Sequence, residues 1–331
     1  MKPHVSIIIP VYNRVEYIAQ CIQSAIDQTF THIEVIVIDN ASDDGTWEVC
    51  CNIAVLDPRI RIFRNEENIG PVRNWIKCLN KAQGRYAKIL FSDDTINPEF
   101  IEEALPMIEN SNVGFVFSAV TIEDKSNNIF SDNYLLPKRK YYSAKEYISD
   151  ITAMAGMFPI SPGSALFRLD DLKKYLISDI PTREYSNYSI HGIGPDLLLM
   201  LEVAYKYNKI GYIRRPLVKF SAHGNSISIN SAPSKISYNY DMILCYFYEK
   251  HKIVDDEKLI NRISYHLLVH GNSFEYGKKN FNNFLSSASN KSLFEIKYRK
   301  NIFKLLMVKR MLIRVLYKYL FAVQRQLGVG I

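Results

Sequence analysis

Apolar residues recur along the first 110 positions in short runs separated by polar turns. Val5-Ser-Ile-Ile-Ile9, ended by Pro10, is rich in β-branched residues and predicts a buried parallel strand. Across Glu16–Asp27 the apolar positions Ile18, Cys21, Ile22, Ala25 and Ile26 return at helical spacing, and Glu34–Ile38 repeats the strand signal before Asp39. Helix-like Thr46–Val55, strand-like Arg61–Phe63, helix-like Val72–Ala82, strand-like Tyr86–Phe91 and helix-like Pro98–Ile108 continue the alternation. The pattern predicts an α/β fold: a mostly parallel, Rossmann-like sheet flanked by helices, with ligands gathered at the strands' carboxyl ends. Val113–Ile122, Ser164–Phe167 and Ile210–Ile213 read as further strands, Leu197–Tyr207 as a helix, and Glu123–Arg139 as a polar loop. Beyond about residue 232 the alternation stops, and Asp241–Glu249, Leu259–Val269 and Phe281–Ser287 carry helical spacing, which predicts a C-terminal α-helical region over 232–331.

Composition narrows the class. With 47% apolar and 23% charged residues the chain is globular, and its glycine and proline content excludes collagen-like and linker-rich architectures. Five cysteines without a C-x-x-C pair argue against a zinc ribbon or a disulfide scaffold and fit a reducing compartment. The apolar run at the start is too short for a secretory signal, and Lys or Arg interrupts every candidate spanning segment, so the expected location is the cytoplasm. Residues 291–331 hold ten Lys/Arg against one acid, a local charge of +9, which leaves −2 of the total +7 for the first 290 residues. The main body therefore lacks the electrostatics of a nucleic-acid binder. In Ile302–Arg325, Lys304, Arg310, Arg314, Lys318 and Arg325 share one helical face opposite bulky apolar residues, a pattern suited to an anionic membrane surface or to packing on its own domain or a second subunit.

The strand ends are polar in a way that core packing does not require. Pro10-Val-Tyr12-Asn13-Arg14 follows the first strand, Asp39 to Thr46 the second, and Ser92-Asp93-Asp94 the fourth. Neither a Gly-rich dinucleotide fingerprint nor a P-loop is present. Adjacent carboxylates repel unless a proton or cation intervenes, so Asp93 and Asp94 suit Mg²⁺ or Mn²⁺ holding a nucleotide diphosphate; the plainer reading is a cap on the Pro98–Ile108 helix. Asp43 and Asp44 are similarly ambiguous, with Asp43 the better cap for Thr46–Val55.

In this order and spacing the segments Ser6–Asn13, Val35–Thr46, Asn68–Asn74 and Gly84–Asp94 resemble the family 2 glycosyltransferases of GT-A fold. The resemblance covers roughly the first 110 residues. It implies a nucleotide-binding half over 1–110 and an acceptor-binding half over 111–231 of one domain, 1–231. Pro10, Tyr12 and Asn13 would line the nucleoside pocket, with Tyr12 facing the base, and Asp39 would accept a hydrogen bond from the imide of a uracil-type base. Arg73 would approach the base or pyrophosphate, or else remain a solvated helix residue. Where the family has D-x-D this chain has Ser92-Asp93-Asp94, so Asp94 is the expected direct metal ligand and Asp93 lies nearer the donor's ribose or sugar.

The second half resembles the family more loosely. Asp196, opening the helix after Gly192-Ile-Gly194-Pro195, stands where the family often carries its catalytic base, with Glu184 in reserve; its alternative role is an N-cap. His223, in Val218–Ser228, matches a histidine that in related enzymes reaches metal or pyrophosphate, against the plainer reading of a polar loop residue. Tyr185, Tyr188 and His191 would stack on sugar faces or serve as packing anchors. The implied function is metal-dependent, inverting transfer of a sugar from a nucleotide-diphosphate donor, a UDP-sugar by preference, to a sugar hydroxyl. The implied acceptor is a polyprenyl-diphosphate-linked saccharide of O-antigen or capsule assembly, reached from the inner membrane face. A non-catalytic nucleotide-sugar-binding scaffold and a sugar-1-phosphate nucleotidyltransferase are the alternatives.

Overall fold

In a computed structural model, residues 2–124, 129–224, 226, 230–253, 256–270 and 284 are described. The expected segment 302–325 lies outside them, as does all of 281–287 except Phe284.

The alternation predicted for the first half is realised as β1 (Val5–Val11), α1 (Ile18–Ile26), β2 (Ile33–Asp39), α2 (Thr46–Ala54), β3 (Ile60–Arg64), α3 (Pro71–Lys81) and β4 (Tyr86–Ile89). β1 and β2 are buried along their whole length, as near-continuous apolar runs covered on both faces should be. Then come β5 (Thr95–Ile96), α4 (Phe100–Ile108), β6 (Val113–Asp124), β7 (Ile129–Asn133), β8 (Tyr141–Ser143), α5 (Ala144–Thr152), a 3-10 turn at Pro162–Ser164 and β9 (Ala165–Arg168). α6 (Leu169–Tyr175), α7 (Tyr188–His191), α8 (Pro195–Lys206) and β10 (Lys209–Ala222) follow, and two helices close the described chain, α9 (Pro233–Lys250) and α10 (Glu257–Val269).

All ten strands join one sheet with the central order β3-β2-β1-β4-β9-β6-β10-β5, β7 lying on β6 and β8 on β10. β3, β2, β1, β4, β6 and β10 run in one direction. The four-residue β9 is inserted against them between β4 and β6, so the expected parallel character holds for the six main strands within a mixed sheet. Because β4, β6 and β10 share a direction, the carboxyl ends of the two halves meet along one edge.

Alternate residues of β1 feed opposite cores. Ile7 and Ile9 pack with α1 and α4, whereas Ile8 joins α3, α5, α8 and α9 on the other face. α9 thus shares a core with the sheet, contributing Met242, Ile243, Leu244 and Phe247.

Two segments differ from the sequence expectation. Glu123–Arg139 is not a plain loop: β6 runs on to Asp124 and β7 returns antiparallel to it, with Thr121 Oγ1 2.8 Å from Asp132 Oδ1. β7 is almost wholly exposed, so it carries no apolar pattern to announce it. The strand expected at Ile210–Ile213 extends to Ala222, crossing Pro216 by register shifts on either side of it.

Candidate active site

β4 ends at Ile89, and Asp93 and Asp94 follow in a turn closed by the Asp94 N–H on the Phe91 carbonyl at 2.9 Å. Immediately beyond, β5 zips onto Val218 and Lys219 of β10. That pairing delivers the Ser221 N–H to Asp94 Oδ1 at 3.0 Å and His223 Nε2 to Asp93 Oδ2 at 2.9 Å. Arg14 Nε, from the loop after β1, stands 3.5 Å from the same Asp93 oxygen, and the Tyr17 ring stacks on His223 with centroids 4.7 Å apart. Neither aspartate caps α4, whose N-terminus has no side-chain cap. Sequence reasoning missed Tyr17 and passed over Arg14, since a polar loop after a strand does not reveal which side chains turn toward a distant one.

Burial pushes the Asp94 carboxyl well above the usual carboxylate range, and the charge of Asp93 adds to the rise; the Ser221 N–H, Lys88 and Arg14 offset it only in part. Lys88 is fully buried in β4, and that burial pushes its amine down to about 7. Its Nζ donates to the carbonyls of Ile89, at 3.1 Å, and Gly163, tying β4 to the 3-10 turn. Burial and the two aspartates also push the Cys21 thiol well up, so it is a neutral thiol and no thiolate ligand. Asp94 Oδ2 meets no hydrogen-bond donor among the described residues. A desolvated carboxylate beside a second one, with an oxygen to spare, fits Mg²⁺ or Mn²⁺. His223 is brought to this turn, with Nε2 engaged by Asp93. Among the described residues no group of three or more His, Cys, Asp or Glu is placed to hold a metal ion.

Asp39 closes β2 and is fully buried. Its carboxylate accepts from the Ser42 N–H at 3.2 Å and from the Ser42 hydroxyl, and Arg64 Nε lies 3.1 Å from Oδ2. Asn13, in the left-handed region at φ 49°, exchanges hydrogen bonds with Asp43, donating at 2.9 Å and accepting at 3.1 Å. This stitch leaves the neighbouring Tyr12 ring 42% exposed, whereas Pro10 is buried inside β1 opposite Ile38. The helix-start role expected of Asp43 is taken by Asp44, which accepts the Thr46 N–H at 3.0 Å and the Val15 N–H at 3.1 Å. Burial acts to raise the Asp44 carboxyl, but these bonds outweigh it and hold the group below its ordinary value.

The ends of β2 and β3 and the start of α3 are fastened by asparagines. Asn40 Nδ2 donates to Asn68 Oδ1 at 2.8 Å, Asn65 Nδ2 to Asn40 and Asn74, and Asn74 Nδ2 to the Ile38 carbonyl. Gly70, at φ 82°, lies so close to α7 that an added Cβ would come within 2.5 Å of the Ser189 carbonyl oxygen. Arg73 projects from the first turn of α3, exposed and without a hydrogen bond or ion pair to any described residue.

Asp196 stands in the first turn of α8, partly exposed. Oδ1 accepts the Gly194 N–H at 2.9 Å and Oδ2 the Tyr240 hydroxyl at 3.0 Å. Burial raises its carboxyl to about 6 against the pull of these donors. No described hydrogen bond links Asp196 to the Asp93–His223 group; the 3-10 turn packs against both α8 and β4. Glu184 stands near the surface of the segment before α7, where Tyr185 is 88% exposed. Tyr188 is a packing anchor, buried with its hydroxyl 3.1 Å from Thr182 Oγ1. His191 is likewise engaged, with Nε2 2.9 Å from Ser186 Oγ and Nδ1 accepting the Ile193 N–H.

Residues 6–176, more than half of the chain, match the family model for glycosyl transferase family 2. The chain belongs to that family. The candidates of this glycosyltransferase-family chain from Pro10 to Asp94 lie inside the matched residues, while Asp196 and His223 lie beyond them. Among curated relatives it is 36% identical over 121 residues to TuaG of Bacillus subtilis, named as a teichuronic acid biosynthesis glycosyltransferase. It is 27% identical over 130 residues to glycosyltransferase GlyG of Streptococcus pneumoniae, and 32% over 137 residues to chondroitin synthase of Escherichia coli. These matches take in 37%, 39% and 41% of this chain and 48%, 43% and 20% of the relatives, so the chain spans less than half the length of each. Its fold is similar to that of S. aureus TarS 1-349, solved in complex with UDP-GlcNAc, with a TM-score of 0.58 and 17% identity over 88% of this chain and 77% of that one. Among the described residues no helix is long and apolar enough to cross a membrane.

Proposed function

We propose that this protein transfers a sugar from a nucleotide-diphosphate donor, a UDP-sugar by preference, to a sugar hydroxyl with inversion at the anomeric carbon. The observation that carries the reading is the Asp93–Asp94 turn, drawn by the β5–β10 pairing to the carboxyl edge of the sheet together with Arg14 and His223. Asp94 would hold Mn²⁺ or Mg²⁺, which when bound supplies positive charge against the diphosphate leaving group. Tyr12 would offer its exposed face to the base and Asp39 a remaining lone pair to the imide N–H, while Arg73 of α3 would approach the base or the diphosphate. Arg14 orients Asp93 toward the donor's ribose or sugar, and His223, beside Asp93, would reach the metal or the pyrophosphate. Asp196 acts as the general base, taking the proton of the acceptor hydroxyl as it attacks.

The names of the relatives support a role in cell-surface polysaccharide synthesis. The acceptor would then be a saccharide on a polyprenyl diphosphate at the inner membrane face, approached with help from the basic segment 302–325. Thermal shift with a panel of nucleotide sugars, with and without Mn²⁺, tests the donor site directly. Metal-dependent stabilisation by one donor, lost in Asp94→Ala together with transfer, is the expected result; wild-type turnover in that variant would remove the metal assignment.

A further inference from the structure

We infer that Tyr240, supplied by α9 of the C-terminal helical region, is a positioning residue for the Asp196 carboxylate, its hydroxyl fixing the Oδ2 oxygen from 3.0 Å. The inference rests on Asp196 acting as the base. The other oxygen, Oδ1, is held by the Gly194 N–H of its own helix start and the Leu197 N–H also bears on the carboxylate, so Tyr240 adds a side-chain donor to a group otherwise held by backbone alone.

The placement of Tyr240 is tightly determined. Three consecutive residues of α9 each engage a different element. Asn239 Oδ1 accepts the Ser186 hydroxyl at 2.6 Å, and Ser186 in turn contacts His191. Tyr240 meets Asp196 on α8. Asp241, buried, accepts from Arg262 Nε and lies 2.9 Å from His266 Nδ1, both on α10. Further along, Glu202 of α8 pairs with Lys250 at 2.8 Å and with His251 at 3.2 Å, which fixes α9 against the same helix that presents the base.

Other ionisable groups near Asp196 do not duplicate the contact. Tyr147 of α5 faces it, but its hydroxyl donates to the Pro159 carbonyl at 2.9 Å. Tyr134, between β7 and β8, faces Tyr147 and Tyr240. Asp150 of α5 faces Tyr134 and Tyr147 and is occupied by the Met157 and Phe158 N–H groups, and Arg262 faces Tyr240 from α10 while bound to Asp241. Tyr240 is therefore the one described side chain that donates to Asp196. A donor to the ionised carboxylate lowers its proton affinity and opposes the effect of burial. Removing the hydroxyl shifts the titration of Asp196 to higher pH.

The test uses the full chain labelled with ¹³C at aspartate carboxyls, the Asp196 signal being identified by its loss in Asp196→Asn. In Tyr240→Phe the midpoint moves up, while in Tyr147→Phe it stays. In parallel, UDP release from a panel of UDP-sugars with Mn²⁺ is followed against pH. A rise of one unit in the midpoint lowers the rate about tenfold on the acid limb and leaves the alkaline plateau comparable. A merely structural role would depress the rate alike at every pH. Full turnover in Asp196→Asn would remove the base assignment and the inference with it. An inactive Asp196→Asn beside a Tyr240→Phe whose midpoint and acid limb match wild type would overturn the inference alone. Should Tyr240→Phe not fold, 3-fluorotyrosine at position 240 keeps the shape with a more acidic hydroxyl and must move the midpoint down; an unchanged midpoint there also overturns it.

Discussion

Asp196 keeps its proton in the folded chain up to about pH 6, whereas an unfolded aspartate releases it near 3.8. Between those values the folded form binds more protons, so the contribution of this group to stability falls as pH rises through that window. Asp196→Asn relieves the penalty: at pH 7.5 it should stabilise the fold by roughly 1–3 kcal/mol, with little gain at pH 4, while lowering transfer by about 10²–10⁴-fold. Urea unfolding at the two pH values, set beside turnover, checks both parts. The wild-type rate should rise with pH through about 6 as the carboxylate ionises. Asp39, Asp93 and Asp94 were legible in the sequence because they close or follow apolar runs and polarity after a buried strand is conspicuous. Arg64, Tyr17 and Tyr240 were not. Arg64 reads as an ordinary strand terminus, Tyr17 precedes a helical pattern, and Tyr240 sits in a helix some forty residues from its partner, so only the tertiary fold reveals their contacts.

At the scale of elements, the first 110 residues were readable because their strands are buried runs and their helices carry one apolar stripe. Residues 111–231 were less so. β7 has no apolar face to display, and Pro216 interrupts the pattern of β10, so Ser221 reads as part of a loop although it lies in a fourteen-residue strand that ends just before His223. α5 could have been found from the Ser143–Glu146 capping box. Gly70 joins the two halves. Its φ of 82° with ψ 160° belongs to a region that side chains avoid, and a Cβ there would strike backbone of α7. Gly70→Ala should cost about 2–4 kcal/mol, from backbone strain together with the clash. A lowered urea midpoint, with weaker donor-induced thermal stabilisation if Arg73 meets the donor as proposed, is the expected signature.

For the whole molecule, one sheet with a helical layer on each face accounts for the edge at which the candidate residues gather, and α9 is built into one of the two cores. Positive charge, by contrast, is concentrated in residues 291–331. Replacing Lys304, Arg310, Arg314, Lys318 and Arg325 by glutamate in the full chain should abolish co-flotation with phosphatidylglycerol vesicles while leaving donor-induced thermal stabilisation intact; undiminished flotation would discard the membrane role. The reversed strand β9 imposes an order on assembly. β4 and β6 become sheet neighbours only through a piece of chain translated some forty residues after β6 ends, so a nascent polypeptide stalled before Ala165 has an open backbone seam beside β4. Such a ribosome-tethered intermediate should show rapid exchange at the β4 amides that face away from β1, and that exchange should cease once β9 has emerged from the ribosome.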